Sequence, residues 1–544
     1  MKNLAFVLGT STALLLLHPN AEGWGGAGPE MVAGGEKAAA HKASTRPPNV
    51  LFIITDQQRF DTIQALGNTN IYTPNLDRLA RRGVAFVNAY SQCPVCVPAR
   101  YTIRTGCESR TTRVFENGWP QVQPGAPKEM TNRCGPYLAT VMKQLGYRTF
   151  GIGKFHTMPW DEPLGYEVQL YGEELYGADQ RRRDAYAAWI AKEHPAFAYL
   201  EGLMGERTEM YYEPQRSPLP AALTIETWAA DQAAKQIEVK DGRPYFGLVS
   251  FVGPHPPFAP PIPFNRMYDP DRMPDPICGD PVIDHEDEQI PWMNYAVWAE
   301  NINNPQARIL KARYYDEISY IDNCLGRILD AVERRGDGSN TLICFTSDHG
   351  DLLGDHGGWQ KECYFEGACH ISFLVSWPAQ IPAEQRRDDL VCLTDLFGIT
   401  THAAGKTQVR EGINILGVIK GECAPRDYLF GYYGTGRFKI MVPHGDWKYV
   451  FMANVGREQL FDLKADPHEL KNLVAARAEV ATQLRAQAAL CCDCPELQAA
   501  REKGGLRSFP FLARPLMRIY QFDASKGVTG GFPKRPEDAL NGAE

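Results

Sequence analysis

Asn49–Asp61 reads NVLFIITDQQRFD, an unbroken apolar run from Val50 to Ile54 followed, after Thr55, by a carboxylate and an amide, Asp56 and Gln57. A short run of this kind without polar alternation fits a strand covered on both faces, as in a parallel sheet. Further runs follow at Thr149 to Ile152, Phe246 to Phe251, Thr341 to Phe345 and Ile371 to Trp377, separated by amphipathic stretches such as the helix predicted in NLDRLARRG. The alternation predicts an α/β domain with a large, mostly parallel central sheet flanked by helices.

The residues after the runs carry the chemistry. Phe150-Gly151-Ile152 leads into Lys154 and His156 in GKFH, Ser250-Phe251-Val252 into His255 in GPHPP, and Phe345-Thr346 into Asp348 and His349 in SDHGD. Ligands of open α/β sheets bind at the carboxyl ends of the strands, so four strands would bring these groups to one rim. Singly, an aspartate after a strand is more often a turn former or helix cap, and a lone lysine such as Lys154 or Lys361 a solvated charge. Together, Asp56, Gln57 and Asp348 offer hard oxygen ligands suited to Ca²⁺ or Mg²⁺. His349 adds a nitrogen that brings manganese or zinc into consideration.

Cys93–Gly106, CPVCVPARYTIRTG, holds a C-x-x-C pair with no matching second pair, so a zinc or dithiol reading lacks its other half. Pro98 suits the first turn of a helix running to about Thr105 and stopping at Gly106. Cys96 then sits at a helix N-terminus, where free amides and the dipole favour anions and are expected to depress a thiol pKa. Residue types alone leave Cys96 open as nucleophile, metal ligand or buried structural thiol.

The 544-residue chain is 44% hydrophobic and 22% charged, enough for one large domain and a smaller one. Its net charge of -8 argues against a nucleic-acid partner, which needs clustered Lys and Arg. Residues 1–21 have signal-peptide grammar, one early lysine and an apolar run from Leu4 to Leu17, and 22–47 read as a Gly/Ala/Pro-rich linker. A secreted or periplasmic protein is expected, with no stable membrane insertion after cleavage. Fourteen cysteines would suggest disulfides in such a compartment, but their spacing defines no framework; Cys491, Cys492 and Cys494 lack the partners of a metal cluster.

Cys96-Val97-Pro98-Ala99-Arg100 followed by Thr105-Gly106 resembles the C-x-P-x-R signature of the formylglycine-dependent sulfatase family, of the alkaline-phosphatase-like superfamily. NVLFIITDQQRFD, TPNLDRLARRGVAFVNAY, GIGKFH, VGPHPP, TSDHGDLLGDHGGWQK and DWKYVF…LFDLKADPHELKNL also look like family elements, in family order, over roughly 49 to 475. The resemblance implies a catalytic domain over 48–424, and a C-terminal subdomain and tail over 425–544. That subdomain would hold a small antiparallel sheet and a helix near Ala475 to Leu490.

It also implies that a formylglycine-generating maturation enzyme converts Cys96 to an aldehyde, leaving an odd number of thiols and no role for Cys93. The implied metal ligands are Asp56, Gln57, Cys96, Asp348 and His349, holding Ca²⁺ or, alternatively, Mg²⁺ or Mn²⁺. The implied catalytic set is Cys96, Arg100, Lys154, His156, His255 and Lys361. Arg100 helps hold the nucleophile, Lys154 and Lys361 neutralise sulfate oxygens, His255 protonates the leaving alcohol, and His156 takes the proton that lets sulfate be expelled.

Gln57 and His349 stand where many relatives have acidic or asparagine ligands, Ala99 where serine is frequent, and FEGACHISF where relatives often carry an arginine and a proline. The alternatives are a phosphodiester or phosphonate monoester hydrolase of the same superfamily, and a catalytically silent binding protein on the same scaffold. An exported enzyme of this kind meets sulfated glycans or small molecules, and a sulfated carbohydrate leads. Trp160, Tyr166, Tyr171, Tyr176, Trp292 and Trp298 lie in the least family-like stretches and could stack on sugars or fill cores.

Overall fold

The structure, a computed structural model, describes residues 46–117, 126–173, 183–198, 211–280, 283, 287–434, 437–493 and 495–518. The signal-peptide reading, most of the linker, Tyr176, Cys494 and the end of the tail lie outside the described residues.

Eight strands form the central sheet: β1 (Asn49–Thr55), β2 (Val84–Tyr90), β3 (Arg148–Gly153), β4 (Val168–Tyr171), β5 (Tyr245–Ser250), β6 (Thr341–Ser347), β7 (Phe373–Ser376) and β8 (Gln385–Cys392). Their order is β4-β3-β5-β1-β6-β7-β2-β8. Every pairing is parallel except those of β7, which runs against both β6 and β2.

β1 explains why the sheet reads as apolar runs. Its residues are buried throughout, Leu51 and Ile53 packing into one core and Val50, Phe52 and Ile54 into the other. The first core receives helices Ile225–Glu238 and Asn304–Arg335; the second receives Leu138–Gln144 and Asp395–Ala403. Burying each such aliphatic or aromatic side chain is worth about 1.5–3 kcal/mol relative to exposure. Asn304–Arg335 begins at a capping box, Asn303 with Gln306, and ends at left-handed Gly336.

A second sheet is antiparallel, with β9 (Gly431–Tyr433), β10 (Lys439–His444), β11 (Trp447–Met452) and β12 (Arg457–Asp462) in the order β12-β11-β10-β9. Ile440, Val442, Tyr449 and Leu460 pack with Leu484 and Ala488 of helix Ala478–Cys491. On the other face Met441, Val450 and Met452 pack with Tyr90, Cys93 and Tyr364. Cys93 is thus a packing thiol in the seam between the two sheets. No helix among the described residues is long and apolar enough to cross a membrane.

Candidate active site

The four strands that end in polar groups are neighbours in space, β3-β5-β1-β6. Backbone bonds hold their ends in step: Asp348 donates from N–H to the Thr55 carbonyl at 3.3 Å, and Lys154 to the Ser250 carbonyl at 2.9 Å. Gly153, at φ +99, permits the second of these approaches, since a Cβ there would stand 1.9 Å from the Ser250 oxygen.

Arg100 spans the rim. Its Nη2 and Nε bond Asp56 Oδ2 and Asp348 Oδ2, each at 3.0 Å, while Nη1 donates to the Lys154 carbonyl at 2.6 Å and to Ser250 Oγ at 2.8 Å. Lys154 Nζ lies 2.7 Å from the same Asp56 oxygen. Burial opposes ionisation of Asp56, yet Lys154, His255 and Arg100 hold its carboxyl well below the usual range. Asp348, pushed the other way by burial and by Asp56, rises to about 7.

With both Oδ2 atoms taken by Arg100, ligand atoms of Asp56 and Asp348 gather with Cys96 Sγ and His349 Nε2, all within 4.8 Å of one another. His349 Nδ1–H donates to the Gly350 carbonyl at 3.0 Å, leaving Nε2 as the lone-pair nitrogen, 3.1 Å from Cys96 Sγ. Burial first, and Lys361 next, keep this imidazole neutral, well below its ordinary pKa. Two buried carboxylates whose mutual repulsion raises one of them, with an unprotonated imidazole beside them, fit a divalent cation.

Cys96 opens helix Cys96–Thr105, with Pro98 in its first turn and Gly106 closing it at φ +68. The next free amide, Val97 N–H, donates to Asn117 Oδ1 at 3.0 Å. The expectation of a depressed thiol is corrected: burial, reinforced by Asp56, outweighs Lys361 and Lys154 and pushes Cys96 up to about 12.

Gln57, at φ +69, is pinned by Asp348, which accepts its N–H at 3.1 Å, and by Tyr314, whose hydroxyl donates to its carbonyl at 2.6 Å. Its side-chain Oε1 accepts from Lys361 Nζ at 2.5 Å and its Nε2 donates to Asp351 Oδ2 at 2.5 Å. Asp351 also accepts from Tyr212 at 2.7 Å. Lys361 therefore reaches the rim through Gln57.

The two histidines are held differently. His255 Nδ1–H donates to the Pro256 carbonyl at 2.8 Å, and its ring meets Tyr211 edge-on at 5.5 Å. His156 has φ +49, and its N–H and that of Phe155 donate to Glu173 Oε1 at 2.9 and 2.5 Å. Glu173 follows β4 in a stretch without family pattern, so nothing in the sequence singled it out; Asp351, by contrast, stands inside SDHGD itself.

The aromatic candidates mostly fill packing positions. Trp160 stacks on Tyr171 at 4.7 Å, Tyr166 on Phe246 at 6.2 Å, and Trp292 is buried with the Arg514 guanidinium 3.3 Å from its ring centre. Trp298 remains 48% exposed, with Arg518 over its ring at 3.8 Å. His370, the departure from the family pattern, stacks on Phe60 at 3.9 Å and bridges Glu366 and the Val87 carbonyl, at 2.6 and 2.8 Å.

A mostly parallel sheet thus gathers a cysteine, two aspartates and a histidine at its carboxyl rim. Residues 48–405 match the sulfatase family, and the chain belongs to that family. Residues 354–491 match the module described as N-sulphoglucosamine sulphohydrolase, C-terminal. The chain is 29% identical over 452 residues to an arylsulfatase of Clostridium perfringens, covering 78% of this chain and 90% of the relative. It is 28% identical over 456 residues to a choline-sulfatase of Rhizobium meliloti, covering 79% and 83%. Among solved structures, the phosphonate monoester hydrolase of Agrobacterium radiobacter shares the fold with a TM-score of 0.67 at 24% identity, covering 86% of this chain and 100% of that one.

Proposed function

We propose that the protein is an exported sulfuric ester hydrolase that removes sulfate from a carbohydrate, using Cys96 converted to formylglycine. The observation that carries this reading is Arg100 held between Asp56 and Asp348 with Cys96 Sγ beside them.

Asp56, Gln57, Asp348 and His349, with the modified Cys96, would hold one divalent cation, Ca²⁺ or alternatively Mg²⁺ or Mn²⁺, which would supply positive charge against the sulfate oxygens. The hydrated aldehyde would supply a hydroxyl to attack sulfur and a second hydroxyl whose deprotonation re-forms the aldehyde and breaks the C–O bond to the sulfate carried by the first. Arg100 fixes residue 96, and Lys154 and Lys361 offset the charge of the sulfate. His255, whose Nδ1–H is committed to Pro256, presents Nε2 to the leaving oxygen and donates from the doubly protonated ring. His156 takes the proton from the remaining hydroxyl at residue 96.

Formylglycine requires a maturation enzyme as partner, and export favours glycan sulfates over cytosolic metabolites. The second reading, a phosphonate monoester hydrolase, draws on the shared fold with the Agrobacterium enzyme. A panel of sulfated mono- and oligosaccharides, beside an aryl sulfate and an aryl phosphonate monoester, tests both. The proposal expects the highest kcat/KM on a sulfated sugar; a phosphonate preferred over every sulfate would replace it with the second reading.

A further inference from the structure

Asp351 follows Asp348 and His349 in SDHGD, is fully buried, and has four donors converging on its carboxylate. Oδ1 accepts the Leu353 N–H at 2.7 Å and the Gln360 N–H at 3.2 Å. Oδ2 accepts the Tyr212 hydroxyl at 2.7 Å and Gln57 Nε2 at 2.5 Å. With two bonds on each oxygen, Asp351 serves as an acceptor only. Tyr212 comes from a stretch without family pattern, and its ring packs 4.8 Å from Trp359 and 5.7 Å from Phe258.

On the other side of the Gln57 amide stands a group that can only donate: the Lys361 ammonium lies 2.5 Å from Oε1. An amide between a pure acceptor and a pure donor has one favourable sense, nitrogen toward Asp351 and oxygen toward Lys361. Turned over, it would set N–H against ammonium and oxygen against carboxylate. Gln57 is buried completely, so such a mismatch would be paid in full. A carbonyl oxygen has two lone pairs, and Oε1 in this sense holds Lys361 with one and keeps the other.

We infer that Asp351 is a positioning residue of the active site: it fixes the sense of the Gln57 amide, and so keeps Oε1 available both to Lys361 and to a divalent cation. Partners that orient a ligand from behind commonly govern affinity in this way. The cation's place in this inference rests on the function proposed above; the sense of the amide does not.

The inference distinguishes two substitutions made alone from the same two made together. In Asp351→Asn the backbone N–H groups of Leu353 and Gln360 still require an oxygen at Oδ1, so the new amide nitrogen faces Gln57. Gln57 must then turn its own oxygen to residue 351 and its nitrogen to Lys361. In Gln57→Glu a second carboxylate faces Asp351. Combined, the two changes put a carboxylate between two donors and restore the charge of the original pair.

The parent, both single variants and the double variant are prepared as full chains matured by the formylglycine-generating enzyme. In EDTA, each single variant is expected to lower the urea midpoint and the double variant to recover most of the loss. In calorimetric titrations with Ca²⁺ or Mn²⁺, whichever the parent binds more tightly, Asp351→Asn should weaken binding by ~10–100-fold and the double variant should regain it. A single variant that fails to fold while the double variant folds is the same recovery. Losses that add in the double variant, or an Asp351→Asn protein with the parent's midpoint and affinity, would overturn the inference. A carboxylate that merely filled space would not be rescued from residue 57. The series in EDTA requires neither cation nor turnover, so it decides the sense of the amide even where the proposed function fails.

Discussion

Lys154 Nζ lies 2.7 Å from Asp56 Oδ2, and neither side chain reaches solvent. A buried charge is tolerated because its partners are fixed, and removing Lys154 leaves buried Asp56 held by its bond to Arg100. Lys154→Met is predicted to destabilise the protein in urea titrations, by less than the ~3–5 kcal/mol of a fully stranded buried charge, because Arg100 still pairs with Asp56. It should also lower kcat by ~10²–10³, the usual loss when one preorganised donor to a developing anion is removed. Unchanged stability would show that the pair is not buried as described.

The histidines should fail differently. His255→Ala is predicted to slow sugar sulfates by ~10²–10⁴ and activated aryl sulfates much less, because an activated leaving group needs no proton. His156→Ala should instead release a burst of alcohol and then turn over slowly. Pre-steady-state product release on leaving groups of graded pKa checks both; equal sensitivity, with no burst from His156→Ala, would mean the roles are misassigned.

Glu173 acts on His156 through the backbone, accepting the N–H groups of Phe155 and His156. Glu173→Gln retains a carbonyl acceptor and should keep most turnover. Glu173→Ala should reproduce the burst of His156→Ala, which a general loss of stability would not. The same pre-steady-state measurement separates them.

A third buried network sets a pH dependence of stability. Lys448 Nζ bonds Glu366 Oε1 at 2.7 Å and Glu469 Oε1 at 2.6 Å, joining β11 to the segment after Lys361. Although burial opposes it, Lys448 and His370 hold the Glu366 carboxyl down to about 2. An unfolded glutamate protonates near ~4.3, so between these values the unfolded state binds the extra proton. Stability from Glu366 is complete above ~4.3 and is lost as pH falls toward about 2. Burial raises Glu469 of the same network, which opposes this slope, so the Glu366 contribution is read as the difference between the acid titrations of the unfolding free energy of the protein and of Glu366→Gln.

The strands and the rim were legible because four of the apolar runs end two or three residues before a charged residue or a histidine, as Ile54 does before Asp56. The Cys96 helix was legible too, since Pro98 and Gly106 mark its ends. The state of its thiol was not, because burial depends on what Asp56, Tyr101 and the neighbouring core bring from elsewhere in the chain. Glu173 and Asn117 were likewise silent: each acts through a partner distant in sequence, and no local spacing announces a hydrogen bond to a backbone amide. His370 looked anomalous and proves to be a bridging ring between Glu366 and Val87.

Every step of the proposed cycle runs through an aldehyde at residue 96. Preparations co-expressed with graded amounts of a maturation enzyme can be scored for aldehyde at Cys96 by peptide mass spectrometry and assayed on one sulfate ester. Activity is predicted to be proportional to aldehyde occupancy, with none at zero occupancy. Full activity in protein carrying an intact thiol at Cys96 would contradict the proposed chemistry.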